Sequence, residues 1–485
     1  MVVNSSYINF SDLADNYNLR LYNIFKNPET FQGVVRLLDC IEPVECGCRP
    51  KGGIVYFEDD YYAISLGGEQ IGKNGRVDLS NMPTVPIEYY YSTSKGKVKQ
   101  NDILICKDGA LTGKSCIVDI SFPVNEVMVN EHVFIIRSNG TFPQILLHYL
   151  IRSDFVQGQI KDLAYRKKGQ PGLNIDHLSK IKIPVISKEL QAAILEKIAT
   201  SEKEIAELRS TIIKPNGIID NVFRDVFGLI SADILAVGST TEYITKLSDI
   251  AVGNINIRNS FRWNKMRHIQ NFLYKDISCI KQLGHYIIET KNGWSPASVE
   301  DGSGIPVLGQ EHFSFEGVLN VSPTKYTKEI KNNIEDFFIQ KGDFFVSRGN
   351  TVDLVALASV VVGDIFENTI YPDLYIRIKF DEDVIDKQYL ALLFNSFFGR
   401  LYFKYASKGK NQSMVKISSN ELHDFLLPIP KKDIQKQVVS SIQVEIKQQN
   451  NIIELIKTKQ GDLSKRIEEL IFSPLACESE NNLGA

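Results

Sequence analysis

Apolar residues recur at Leu190, Ile194, Ile198, Ile205, Leu208 and Ile212, and spacings of three, four and seven place them on one stripe of a helix. Ser187 stands where an N-cap is needed. A second stripe, Ile434, Val438, Ile442, Ile452 and Ile456, has the same character. Each pattern predicts a helix of roughly 25–28 residues, about 40 Å long. The stripes are narrow and the other faces are rich in Lys, Glu and Gln, which suits a coiled-coil partner better than burial in a globule. A further amphipathic piece is expected beyond a break at Gly217 (Ile219, Phe223, Val226, Phe227) and beyond one at Gly461 (Leu463, Ile467, Leu470, Ile471).

Ahead of each helix the pattern changes to short runs of β-branched and aromatic residues bounded by Gly, Asn and Asp, which read as strands. They are Gly53–Phe57, Tyr62–Leu66, Ile103–Cys106 and His132–Ile136, then Ile305–Leu308, Phe344–Val346 and Leu374–Ile378. Helices are expected near Phe142–Phe155 and Lys387–Phe398, each followed by a basic, glycine-containing loop, Lys167–Gly172 or Lys408–Ser413. A strand ending in Pro184 or Pro428 then leads into the long helix.

The chain is thus written twice. Ser11-Asp12-Leu13-Ala14 returns as Ser248-Asp249-Ile250-Ala251, Leu178 and Pro184 as Leu422 and Pro428, and Gln191 and Gly217 as Gln435 and Gly461. From Leu178 to Phe227 the two copies stay 244 positions apart, whereas upstream the separation drifts from 237 at Asp12 to 246 at Gly47. Two domain-sized copies exclude a solenoid. Helices of one length beside bodies of variable length suit a spacer, because one inserted residue turns everything beyond it by 100°.

Composition narrows the class. At 485 residues, 43% hydrophobic and 23% charged, the chain is an ordinary globular protein too long for one core. Seven irregularly spaced cysteines make no disulfide framework, and Cys46-x-Cys48 has no second pair to complete a zinc site. No apolar run approaches a membrane span, and the start of the sequence lacks the basic flank of a signal peptide, so a cytoplasmic protein is expected. The net charge of −3 disfavours an unaided grip on a polyanion. Its distribution is uneven, however. Lys387 to Asn420 holds Lys387, Arg400, Lys404, Lys408, Lys410 and Lys416 with no acid, and the first copy has Lys161, Arg166, Lys167, Lys168, Lys180 and Lys182 against Asp162 and Asp176 at the same place.

Catalysis finds little support. There is no Asn-Pro-Pro-aromatic motif, no glycine-rich cofactor loop, and no phosphate-binding loop around Gly67-Gly68 or Lys73-Asn74-Gly75. Pro372-Asp373 lacks the Glu-x-Lys of a nuclease centre. His132, His148 and His177 face Leu374, Ala391 and Glu421 in the other copy, so no general base recurs.

With these features in order, the chain resembles the specificity subunit of type I restriction–modification systems over nearly its whole length. The resemblance rests on the tandem unit, on Lys281-Gln282-Leu283-Gly284 with Lys291-Asn292-Gly293, and on Lys341-Gly342-Asp343-Phe344-Phe345-Val346-Ser347-Arg348. It rests also on Leu422 and Pro428 running into Gln435, with weaker forms at Leu37-Leu38-Asp39 and Gln100–Lys107. It implies an α+β fold with two tandem mixed α/β target recognition domains, each followed by a long helix. The helices pair as an antiparallel coiled coil with pseudo-twofold symmetry. The expected boundaries are 1–185 and 231–430 for the domains, 186–230 and 431–475 for the helices, and a disordered tail at 476–485. Each domain would read one half of a bipartite site in double-stranded DNA. The helices would set the spacing and dock two methyltransferase subunits. S-adenosylmethionine belongs to those partners, this chain holds no cofactor or metal of its own, and a translocating nuclease subunit can join. The alternative is a duplicated, non-catalytic protein-interaction scaffold.

Base reading and phosphate contact need Arg, Lys, Asn, Gln, Ser or Thr on loops. The first candidates are Arg166, Lys167, Lys168 and Gln170, with Lys404, Lys408, Lys410, Asn411 and Gln412. Lys107 and Arg348 follow, at matching places after a central strand. Lys73 and Arg76 in the loop Gln70–Arg76, and the loop Gln310–Phe315, come third.

Overall fold

A computed structural model of the chain describes residues 33–50, 62–78, 82–119, 122–164, 171–230, 251–252, 256–257, 261–300, 302–323, 325–363, 365–409 and 414–472. It is a mixed α+β structure of helices and several small sheets. Two compact units divide it, Met1–Thr211 with Ile453–Ala485, and Ile212–Ile452. The expected strand Gly53–Phe57 and the expected tail lie outside the described residues.

The first unit contains β1 (Val34–Arg36), β2 (Glu45–Cys46), β3 (Tyr62–Leu66), β4 (Thr84–Pro86), β5 (Ile103–Cys106), β6 (Ser115–Ile117), β7 (Val127–Val129), β8 (Val133–Ile136) and β9 (Lys182–Pro184). Its helices are α1 (Ile87–Ser92), α2 (Gln144–Arg152), α3 (Asp154–Ala164), α4 (Ile175–Lys180) and α5 (Lys188–Ser210). The central sheet runs β2-β8-β5-β6, all antiparallel. Every side chain of β5 and β8 is buried, so successive residues feed opposite layers. Ile103, Ile105, Phe134 and Ile136 pack with the helices, while Leu104, Cys106, Val133 and Ile135 pack with Leu66, Val127 and Val129 of β3 and β7.

The second unit repeats this plan. It holds β10 (Ala251–Val252), β11 (Asn256–Ile257), β12 (Ile280–Gln282), β13 (Ile287–Asn292), β14 (Ile305–Val307), β15 (Lys325–Thr327), β16 (Phe344–Ser347), β17 (Gly349–Asn350), β18 (Ala358–Val360), β19 (Tyr375–Phe380), β20 (Val415–Lys416) and β21 (Leu426–Pro428). Its helices are α6 (Pro215–Phe227), α7 (Phe261–Leu273), α8 (Lys387–Asn395), α9 (Phe397–Ala406) and α10 (Ser419–His423). The sheet order β13-β19-β16-β18 matches that of the first unit. Phe344, Val346, Ile376 and Ile378 face the helices, and Phe345 and Tyr375 face a separate cluster around Ile370 and Tyr371.

The repeated motifs now have physical causes. Asn101 (φ 65°) and Gly342 (φ 85°) occupy the left-handed region in the turn before each central strand, a conformation open to Asn and Gly. The next residue in each copy, Asp102 or Asp343, accepts the N–H of Lys99 or Gln340 and closes that turn. The opening motifs Leu37 and Leu283 donate their N–H groups to Ile181 and Phe425, joining the start of each body to its end. In each copy the helix expected near residue 150 or 393 is a pair, α2–α3 or α8–α9, broken at Ser153 or Ser396, whose hydroxyl bonds back to the Leu150 or Leu393 carbonyl.

The expected break after the first long helix is present, and the one after the second is not. Pro215, which has no N–H to continue a helix, opens α6 after α5 has ended at Ser210. At the matching place the second copy has Lys459, and Lys432–Phe472 is one helix of 41 residues running through Gly461.

Each unit uses the amphipathic piece from the other half of the sequence. In the first, Leu463, Ile467 and Ile471 pack with Ile194, Ile198, Leu146 and Leu150. In the second, Ile218, Ile219, Val222 and Phe223 pack with Tyr389, Phe398 and Val438. Both contacts close with a carboxylate at the start of a helix. Glu468 accepts the N–H of Asp154 at the first residue of α3, and Asp220 accepts that of Phe397 at the first residue of α9, at 2.7 Å. A negative charge suits that end of a helix. Burial nonetheless outweighs the Phe397 bond and Arg224, and pushes the Asp220 carboxyl up to about 6.

Two expectations follow. A carboxyl raised to about 6 contributes stability that is full below its ordinary value near 3.9 and lost as pH rises through 6. Asp220→Asn keeps an acceptor for Phe397 without the charge. Its stability relative to the parent should rise between pH 4 and 6.5 by about 1–2 kcal/mol and then level off, as read by urea melts across that range. Gly461→Ala, where an added Cβ meets nothing within 4 Å, should stabilise the long helix by about 0.5–1 kcal/mol, checked by thermal melting.

Candidate nucleic-acid interface

Lys107 leaves the end of β5 and Arg348 the end of β16, and their backbones are held identically. The Lys107 N–H donates to the His132 carbonyl at 2.9 Å, and the Arg348 N–H to the Leu374 carbonyl at 2.7 Å. Their own carbonyls accept the N–H groups of Leu173 and Ile417, at 2.7 and 2.9 Å. The next residues pair with the strand leaving each basic loop, as Asp108 with Gly172 and as β17 with β20. Ala164 and Gly172 are hydrogen-bonded across the first loop, and Lys408 and Lys416 bond each other twice, at 2.8 Å, across the second. In both copies the second-rank candidate therefore sits beside the anchored ends of the first-rank loop. Arg166, Lys167, Lys168 and Gln170, and Lys410, Asn411 and Gln412, lie outside the described residues.

The four described candidates at these loops each have a carboxylate partner. Lys107 stands 3.8 Å from Asp108 and 5.5 Å from the centre of the Phe134 ring. Arg348 stands 3.8 Å from Asp373 and donates to its carbonyl. Lys404 pairs with Asp353 at 3.5 Å and Lys408 with Glu421 at 2.6 Å. Exposed pairs of this kind are weak and open readily to a competing anion. The Lys408 pair differs because Glu421 is buried and also caps the Ser418 turn. Burial favours the neutral acid, but Lys408 and Ser418 outweigh it and hold the carboxyl below its ordinary value.

The third-rank loop belongs elsewhere. The Gly75 carbonyl accepts the Ile117 N–H, at the end of β6 remote from Lys114, whose carbonyl accepts the Cys106 N–H beside Lys107. Lys73 is exposed there. Arg76 is corrected from a surface contact to an interior one, 7% exposed and bonded to Glu202. Gln310 is also turned inward. Its carbonyl oxygen accepts the Ser347 hydroxyl at 2.6 Å, and its amide donates to Leu374, so it braces the turn that carries Arg348.

A polar network around Lys107 joins residues far apart in the sequence. His132 meets Asp108 at 3.1 Å through Nδ1 and Arg49 at 2.9 Å through Nε2, and Arg49 also pairs with Glu131. In the second copy Ser295 and Asp373 make the equivalent contact. Arg49 and Ser295 each lie two residues after matched glycines, and Glu131 and Asp373 just before matched strands, so the register of the repeat could have revealed both pairs. Among the described residues no group of three or more His, Cys, Asp or Glu could hold a metal, and no helix is long and apolar enough to cross a membrane.

The chain is similar to type I restriction–modification specificity subunits. A chain from a study of complex assembly and conformational transition of the type I R-M system aligns over 90% of this chain and 96% of its own, with TM-score 0.40 and 13% identity. The S subunit from M. genitalium aligns over 92% and 97%, with TM-score 0.38 and 12% identity. The HsdS subunit from Thermoanaerobacter tengcongensis aligns over 92% and 97%, with TM-score 0.30 and 14% identity. No family model and no curated protein matches the sequence.

Lys408 therefore has to be tested with care. Lys408→Glu sets a carboxylate against buried Glu421 and should cost roughly 1–3 kcal/mol of stability. Lys408→Gln, whose amide can still donate, should cost less than about 1 kcal/mol. Chemical denaturation of the two variants checks the difference, and the glutamine variant is the one to use for binding.

Proposed function

We propose that this chain is the non-catalytic DNA-recognition subunit of a type I restriction–modification complex. Each α/β body reads one half of a bipartite site in double-stranded DNA. The observation that carries this is the matched placement of Lys107 and Arg348, each held beside the ends of a basic loop by the same hydrogen bonds. One binding surface appears twice with different side chains, as two half-sites of different sequence require. The modest charge suits a subunit whose partners supply much of the phosphate attraction.

The long helices act as the spacer, paired antiparallel as a coiled coil. In the first unit Glu204 meets Lys459 at 2.6 Å, while Ile194 and Ile198 meet Leu463 and Ile467. In the second the Ile213 N–H reaches Gln449 at 3.0 Å. Position rises along one helix as it falls along the other. The same helices dock two methyltransferase subunits, which bind S-adenosylmethionine and methylate adenine. A nuclease subunit can join, and the complex works in the cytoplasm.

Co-expression with a type I methyltransferase subunit, followed by genome-wide mapping of methylated adenine, tests the reading. A split motif that appears with this chain and disappears without it is the expected outcome. An identical methylation pattern in both strains would sink the proposal.

A further inference from the structure

The two copies fasten their α/β bodies to their helices by different chemistry. In the first, Arg76 is buried beneath the loop Gly72–Gly75 and bonded to Glu202 of α5, which also accepts the Tyr149 hydroxyl at 3.0 Å. Asp119, at the same end of the sheet, is 3.4 Å from Arg76 and 3.9 Å from Arg209 of α5. Burial works against the Arg76 charge, but Glu202, Tyr149 and Asp119 outweigh it and raise its pKa. Arg152 supports the loop from α2, donating to the carbonyls of Ser115 and Lys73 at 2.8 and 3.0 Å.

The second copy has the same backbone without these charges. Gly75 (φ 79°) corresponds to Gly317 (φ 70°), and their carbonyls accept the N–H groups of Ile117 and Val360. The residues that follow, Arg76 and Val318, form the same parallel bridge to those strands. At 244 residues beyond Glu202 stands Ile446, and the partner of Tyr149 is Leu392, both buried in the apolar core of the second unit. Asn395 takes the place of Arg152, donating to Ser314, Phe315 and Ala358.

Apolar packing is non-directional and tolerates small slides. The ionic arrangement does not. Along α5 the helix offers a negative group and then, two turns and about 10 Å further on, a positive one. The body offers a positive and a negative group in the complementary order. Moving the body along the helix separates both pairs, and a large enough shift brings like charges together. Because Arg76 is buried, salt screens its pair little.

We propose that Glu202 and Arg209 are positioning residues that fix the first α/β body at one place along its helix through a crossed ionic latch with Arg76 and Asp119, and so restrict the number of base pairs allowed between the two half-sites. The spacing role rests on the function proposed above, whereas the latch itself does not.

The test uses the full chain assembled with its methyltransferase partner and three duplexes, bearing the mapped site at native spacing, one base pair longer and one shorter. Glu202→Ala should methylate the altered duplexes, relative to the native one, at least fivefold better than the parent does. Arg76→Val combined with Glu202→Ile, the pattern of the second copy, should return to within about twofold of the parent. Arg209→Ala, at the more exposed end, should shift in the same direction by less, and decides the matter if Glu202→Ala does not fold. An unchanged spacing preference, or an equal loss on all three duplexes, overturns the spacing role. Hydrogen exchange of the free chain reads the latch without DNA. Amides of 72–76 should exchange at least tenfold faster in the loosened variant, and an unchanged rate overturns the latch. If the parent chain supports no sequence-specific methylation, the functional reading fails and the spacing role with it, while hydrogen exchange still decides the latch.

Discussion

Burial of β5 and β16 on both faces is the constraint from which the candidate interface hangs. A strand with one wet face could shift by two residues at modest cost, but here each residue has a set layer. Ile103 and Ile105 or Phe344 and Val346 must meet helices, and Leu104 or Phe345 must meet the opposite cluster. A one-residue slip would exchange the layers outright. The residues just past these strands, Lys107 and Arg348, therefore emerge at fixed points, and the returning strands at Leu173 and Ile417 clamp them there. Among the described residues that clamp is made of main-chain hydrogen bonds, which do not require particular side chains.

Much of this was legible in the sequence, and the reasons are specific. The helical stripe at Leu190–Ile212 and the apolar run Ile103–Cys106 are plain in the sequence, and α5 and β5 coincide with them to within two residues. The repeat makes the signals stronger, since register alone pairs Lys107 with Arg348. Gly461 misled because a glycine looks like a helix break in isolation. Pro215, absent from the second copy, is what breaks the first helix, and a long helix with packed neighbours absorbs a glycine at a cost of about 1 kcal/mol.

The side-chain roles were less legible. A basic residue in a glycine-rich loop reads as a surface contact, and nothing within residues 70–76 signals that Arg76 points inward. Its partner Glu202 lies 126 positions away on the outward-looking face of an amphipathic helix. Comparing the copies would have helped, because Glu202 falls on Ile446, and a carboxylate aligned with a buried isoleucine is a sign that its own position is interior too. The network of Arg49, Asp108, Glu131 and His132 is similarly a product of three separate loops meeting.

The exchange of amphipathic pieces between the two halves has a consequence in time. The second unit is built from one continuous stretch, Ile212–Ile452, and its whole core is present once that stretch has been synthesised. The first unit is not. Its core includes Leu463, Ile467 and Ile471, each contributing roughly 1.5–3 kcal/mol, and they are translated some 260 residues after Ile198. At about 5–20 residues per second, the earlier-made half waits on the order of tens of seconds with that apolar groove open. The half that begins first is thus completed last, and a message or ribosome that stops short after residue 452 would leave a finished second unit attached to an unfinished first one.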